Sequence, residues 1–170
     1  MQFQLSICLT TAESSLHLKL SEVCREIVGF DINTAGAEKV RPYLPQHQQR
    51  MYFELKEILN EHFDWVIVPE VLEHVDNIQL FLSQISRSNA ENFIFTVPDA
   101  FALSHFYEKR TESEAYEVVH PDHNCWFSPY TLKNVITKYT ALKVVELIRI
   151  DISIVAVCKK HGKGNALHLA

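Results

Sequence analysis

The chain has 170 residues, 47% of them hydrophobic and 22% charged, with 16 Lys and Arg against 21 Asp and Glu and a formal net charge of -5. That length makes one ordinary globular domain with enough apolar residues for a sizeable core. The domain is expected over residues 1–160, with a loosely ordered tail over 161–170 that holds Gly162 and Gly164. No apolar run approaches the ~20 residues of a spanning helix, and no Lys/Arg cluster exceeds the Lys159-Lys160 pair. A membrane-spanning protein is thereby excluded, and general nucleic-acid binding is not expected, a single RNA end in a pocket remaining open. Cys8, Cys24, Cys125 and Cys158 form no CxxC pair, which argues against a zinc ribbon or a disulfide framework and for a reducing cytoplasm.

In chain order, the opening segment lacks a basic n-region, and Ser6 breaks its apolar run, so it reads as a strand (Phe3–Leu9) and not as a signal peptide. Leu16, Leu20 and Val23 then recur at helical spacing within Ser15–Arg25, and a second strand follows over Glu26–Ile32. Trp65–Val68 and Phe93–Val97 are short continuous apolar runs, as expected of strands covered on both faces. Between them, Ile78, Phe81, Leu82 and Ile85 form a helical stripe within Asn77–Ser86. Ser128-Pro129 supplies an N-cap and an N1 proline for a helix to about Tyr139. Leu142–Ile150 and Ile152–Cys158 are separated by little more than Asp151, a connection only an antiparallel hairpin can make. The expected fold is α/β: a doubly wound, mostly parallel sheet with helices on both faces, closed by a hairpin.

In such a sheet ligands sit beyond the carboxyl ends of the strands, which directs attention to four places. Asp31, at the end of the second strand, either accepts hydrogen bonds from both hydroxyls of a ribose or caps the next helix. Glu70, Glu73 and His74 stand at i, i+3 and i+4, so one helical turn puts them on one face. They are ligands for a divalent ion, groups that deprotonate a hydroxyl, or a solvated turn near a helix N-terminus. His120-Pro121-Asp122-His123 offers two imidazoles in a loop, as ligands, as a base or as a hydrogen-bonding knot. Thr10-Thr11, after the first strand, stands where a nucleotide-binding fold places glycines.

Taken in order, VGFDIN (Val28–Asn33), FDWVIVPEVLEHVDN (Phe63–Asn77), NFIFTVPDAF (Asn92–Phe101) and SPYTLKNVITKY (Ser128–Tyr139) resemble the class I S-adenosylmethionine-dependent methyltransferases. The resemblance spans roughly Cys8 to Lys159. It implies a seven-stranded sheet of order 3-2-1-4-5-7-6 with the last strand antiparallel, S-adenosylmethionine as cofactor, and a cofactor site at Cys8, Thr10, Asp31, Ile32, Glu54 and Glu70. Glu70-x-x-Glu73-His74 followed by His120-x-Asp122-His123 is similar to the metal-dependent O-methyltransferases of ubiquinone biosynthesis and of small-RNA 3′ ends. By that likeness Glu70, Glu73, His74 and either His123 or His120 would hold a divalent cation, Mg or Mn. Without the ion, His74 or His123 is the candidate base. The departure is the first loop, where Ser6–Thr11 carries no glycine. The expectation is a methyltransferase acting on a hydroxyl of a small molecule, sugar or lipid precursor. The alternative is a degenerate domain of the same fold that binds or regulates a partner.

Overall fold

The computed structural model describes residues 16–102 and 121–160 in full, and the backbone of 3–7, 107–109 and 115–117. Cys8, Thr10, Thr11, His120 and the tail over 161–170 lie outside the described residues. One sheet organises the chain. Its strands are β1 (Phe3–Ile7), β2 (Glu26–Phe30), β3 (Met51–Tyr52), β4 (His62–Pro69), β5 (Asn89–Pro98), β8 (Leu142–Ile150) and β9 (Ser153–Lys160). They lie in the order β3-β2-β1-β4-β5-β9-β8. The pairs from β3 to β5 are parallel, and β9 runs antiparallel to both β5 and β8. A separate two-stranded ladder, β6 (Tyr107–Lys109) with β7 (Ala115–Glu117), stands outside the sheet.

The helices are α1 (Leu16–Val23), α2 (Thr34–Val40), α3 (Leu55–Ile58), α4 (Ile78–Ile85) and α5 (Pro129–Tyr139). Local chemistry fixes their starts. Asn33 and Asn77 accept hydrogen bonds from Gly36 and Leu80 N–H and so cap α2 and α4. Ser128 and Thr131 form a capping box at α5, with Pro129 in its first turn. None of these helices is long and apolar enough to cross a membrane.

Alternation along the strands builds the core. Val66, Val68, Phe93, Phe95, Val97, Ile154, Ala156 and Cys158 point to one face of the sheet and meet Leu82 and Ile85 of α4 and Leu132 and Ile136 of α5, all buried. On the other face α1 packs against β2, where the ring of buried His17 lies 3.2 Å from the place a side chain at Gly29 would occupy. The absence of a side chain there makes room above all for the Met51 thioether, which a Cβ would overlap outright. Ile27 and Met51 are both buried. β2, β4 and β5 run to the same edge of the sheet, at Asp31, Pro69 and Pro98, with β1 between β2 and β4.

Candidate active site

The strand ends position the site. Backbone pairing carries β2 into Asp31, whose N–H donates to Tyr52 O at 3.1 Å. The Asp31 carboxylate accepts the Asn33 N–H at 2.7 Å, so the residue braces the entry to α2. It also lines a cavity of ≈ 510 Å³ with Phe30, Ile32, Phe53, Leu55, Glu70, Val71, His74, Val75 and Phe81. That volume falls in the usual range for small-molecule sites, roughly 300–1,000 Å³. The wall is mostly apolar and the polar groups are few and grouped, which is how a pocket buries a ring system and orients it.

After β4 the chain turns sharply. Glu70 has φ 49°, the left-handed region, and the residues after it fold back so that Glu73 is buried (1% exposed) while His74 stays half-exposed. A second segment is stitched onto this turn from fifty residues away. Asn124 N–H donates to Glu73 O at 2.6 Å, Asn124 Nδ2 donates to His74 O at 2.8 Å, and His74 Nδ1 lies 3.1 Å from Asp122 O. The stitching brings His123 edge-on to His74, ring centroids 4.7 Å apart, with Trp126 edge-on to His123 at 5.9 Å. Ligand atoms of Glu73, His74 and His123 all lie within 4.8 Å of one another.

The electrostatics of this cluster are unusual. Burial pushes the Glu73 carboxyl up to about 8, an effect its own backbone N–H only partly offsets and neighbouring Glu70 increases. Among the described residues neither Glu73 oxygen has a hydrogen-bond partner, and His74 Nε2 stands 3.9 Å from Oε1. A carbonyl can only accept, so His74 Nδ1, facing Asp122 O, carries a proton, and Nε2 is the ring nitrogen turned toward the Glu73 carboxyl. A proton or a cation shared between that nitrogen and the carboxyl oxygens would serve both. The Cys125 thiol nearby is pushed up by burial and by Glu73.

The sequence-derived residues therefore separate into groups. Glu73, His74 and His123 come together, and Asp31, Ile32, Glu70 and His74 line the cavity. Glu70 is not brought into the cluster with Glu73: its Oε1 accepts the Thr96 hydroxyl at 2.6 Å. Burial raises the Glu70 pKa, opposed by the Thr96 and Ser153 hydroxyls and by His74. Glu54 does not line the cavity. Its side chain caps α3 and pairs with Lys56, and its neighbours Phe53 and Leu55 face the hollow instead. Phe53, Leu55 and Phe81 were missed because an apolar wall residue carries no signature that separates it from core. Thr96 was missed because a lone Thr inside an apolar strand looks like any β-branched filler.

Known proteins resemble this chain in sequence and fold. The methyltransferase domain family matches residues 12–146. N-methyltransferase 4 of Papaver somniferum is 30% identical over 95 residues, which are 55% of this chain and 24% of that protein, so the chain spans about a quarter of the length of this curated relative. Among solved structures, the methyltransferase domain of bacterial CtHen1-CN superposes with a TM-score of 0.62 at 17% identity, covering 93% of this chain and 89% of that one. N-methyltransferase NodS of Bradyrhizobium japonicum WM9 gives 0.64 at 15%, covering 94% and 85%. Magnesium protoporphyrin IX methyltransferase of Synechocystis PCC 6803, solved with bound SAH, gives 0.61 at 13%, covering 95% and 74%. At such identities the structural likenesses speak for the fold, while the family match covers most of the chain. The chain belongs to the methyltransferase domain family, within the class I S-adenosylmethionine-dependent methyltransferases.

Proposed function

We propose that the chain transfers the sulfonium methyl of S-adenosylmethionine to a hydroxyl oxygen of a small-molecule, sugar or lipid-precursor acceptor. The observation that carries this reading is the Glu73, His74 and His123 cluster set beside a cavity lined by Asp31. A carboxylate has about four lone-pair sites, so its bond to Asn33 leaves Asp31 able to accept both ribose hydroxyls. Phe53, Leu55 and Phe81 then offer apolar contacts to the adenine. In-line placement of methyl and acceptor oxygen can supply roughly 7–11 kcal/mol of the barrier. His74, its Nδ1 held by Asp122 O, takes the hydroxyl proton at Nε2 as it leaves, with His123 alongside. Cys8 and Thr10 complete the cofactor site in this proposal.

The donor set also fits a divalent cation such as Mg or Mn. Two buried Glu73 oxygens without hydrogen bonds among the described residues face two imidazoles, and Glu73, His74 and His123 would be the ligands. When bound, such an ion lowers the pKa of an acceptor hydroxyl. A nitrogen acceptor is the second reading, favoured by the N-methyltransferase of Papaver somniferum. It uses the same base and differs only in the atom attacked.

Calorimetric titration of S-adenosylmethionine into the purified chain, with and without Mg or Mn, is the direct test, followed by methyl transfer to hydroxyl and amine panels. Cofactor binding is expected in the wild type and in Glu73→Gln, with transfer lost in the variant. A chain that binds no S-adenosylmethionine under either condition is the degenerate domain, and the proposal fails.

A further inference from the structure

At the end of β4 a glutamate occupies backbone geometry that suits glycine, since φ 49° at Glu70 is costly for a residue with a Cβ. Its hydrogen bonds supply what the backbone lacks. Glu70 N–H donates to both Thr96 O (2.9 Å) and Thr96 Oγ1 (3.1 Å), and Thr96 Oγ1 gives its own proton back to Glu70 Oε1 at 2.6 Å. Thr96 lies on β5, so one residue ties the ends of two adjacent strands, β4 and β5, together. Glu73 and His74 follow at once in the same turn, with nothing but Val71 and Leu72 between.

We propose that Glu70 is a positioning residue for methyl transfer: a clamp to Thr96 that sets the angle at which the turn delivers Glu73 and His74. This takes Glu70 out of the ligand set that the family resemblance implies. Glu70 is not among the ligand atoms that lie within 4.8 Å of one another, and its Oε1 is engaged by the Thr96 hydroxyl. The kinetic consequence rests on the methyltransferase reading above, whereas the clamp itself belongs to the unliganded chain.

Four variants separate these roles. Thr96→Val keeps the shape of the strand residue and removes the hydroxyl. Glu70→Gln retains an oxygen that accepts from Thr96, Glu70→Ala removes it, and Glu70→Gly removes it while relieving the φ strain. Expected are a fall in kcat of roughly a hundredfold in Thr96→Val, Glu70→Ala and Glu70→Gly, with a smaller change in KM for S-adenosylmethionine, and recovery in Glu70→Gln. Mn titrated alone should bind Glu70→Gln as it binds wild type. Two results overturn the proposal: a Thr96→Val enzyme with unaltered kcat, or Mn binding lost in Glu70→Gln, which would return Glu70 to the ligands. Amide hydrogen exchange over residues 70–75 reads the clamp without any turnover. If the wild type transfers no methyl, equal protection in wild type and Thr96→Val sinks the clamp on its own, and loss of protection in the variant sustains it.

Discussion

At the scale of single residues, two buried titratable groups pull stability in opposite directions with pH. Glu73, with its carboxyl raised to about 8 from an ordinary 4.5, binds a proton in the folded chain that the unfolded chain has already released. Stability therefore declines as pH rises from 4.5 toward 8, with a limiting slope of about 1.4 kcal/mol for each pH unit. Urea unfolding in the presence of a chelator should show that decline in wild type and its loss in Glu73→Gln, together with a gain in stability at pH 8. His17 works the other way. Burial lowers its pKa to about 4 from 6.5, and neither ring nitrogen has a hydrogen bond among the described residues. Below 6.5 the unfolded chain gains a proton that the folded chain refuses, so stability falls from pH 6.5 toward pH 4. His17→Leu should flatten that acid limb. The E-x-x-E-H spacing alone pointed to Glu73 and His74, but spacing does not say which way a carboxylate turns. Glu70 and Glu73 look equivalent in the sequence, and only the Thr96 hydroxyl, supplied by a neighbouring strand, divides their roles.

Elements differ in how far local chemistry defines them. Helix α5 carries its own instructions: Ser128, Pro129 and Thr131 start it, and Leu132 and Ile136 bury its inner side. Ser128→Ala should cost about 1 kcal/mol in denaturant unfolding through the lost cap. Leu132→Ala, fully buried, should cost about 2–5 kcal/mol through the lost contacts and the cavity. The closing hairpin was equally readable, because so short a connection, with Asp151 at φ 52°, admits no crossover. Other elements were not. β3 has two residues and α3 four, too few for any periodicity to register. The β6–β7 ladder lies in the stretch read as irregular, where three-residue strands leave no pattern. The second strand was expected to reach Ile32 and stops at Phe30: the Asn33 N–H is taken by the Asp31 carboxylate, so a side chain ends the ladder before the apolar letters do.

For the molecule as a whole, the cofactor reading makes a thermodynamic claim. A ligand that binds only the folded chain raises stability as RT ln(1 + [L]/Kd), about 2.7 kcal/mol at a hundredfold excess over Kd. Thermal melts with S-adenosylmethionine should move upward in wild type and stay in place for Asp31→Ala, since the ribose would lose its acceptor. A shift retained in Asp31→Ala would assign the ribose to another group.

The long connection after β5 is pinched at its base. Asp99 bridges to Phe127, Ala100 N–H donates to Phe127 O at 2.8 Å, and Arg149 Nε grips the Asp99 carboxylate at 2.7 Å. Just beyond, Asn124 is sewn to Glu73 and His74. An insert that stops short of Asp122 leaves the anchorage of His123 untouched. Grafting a relative's insert there should therefore transplant taste for a different acceptor while the chemistry stays at home.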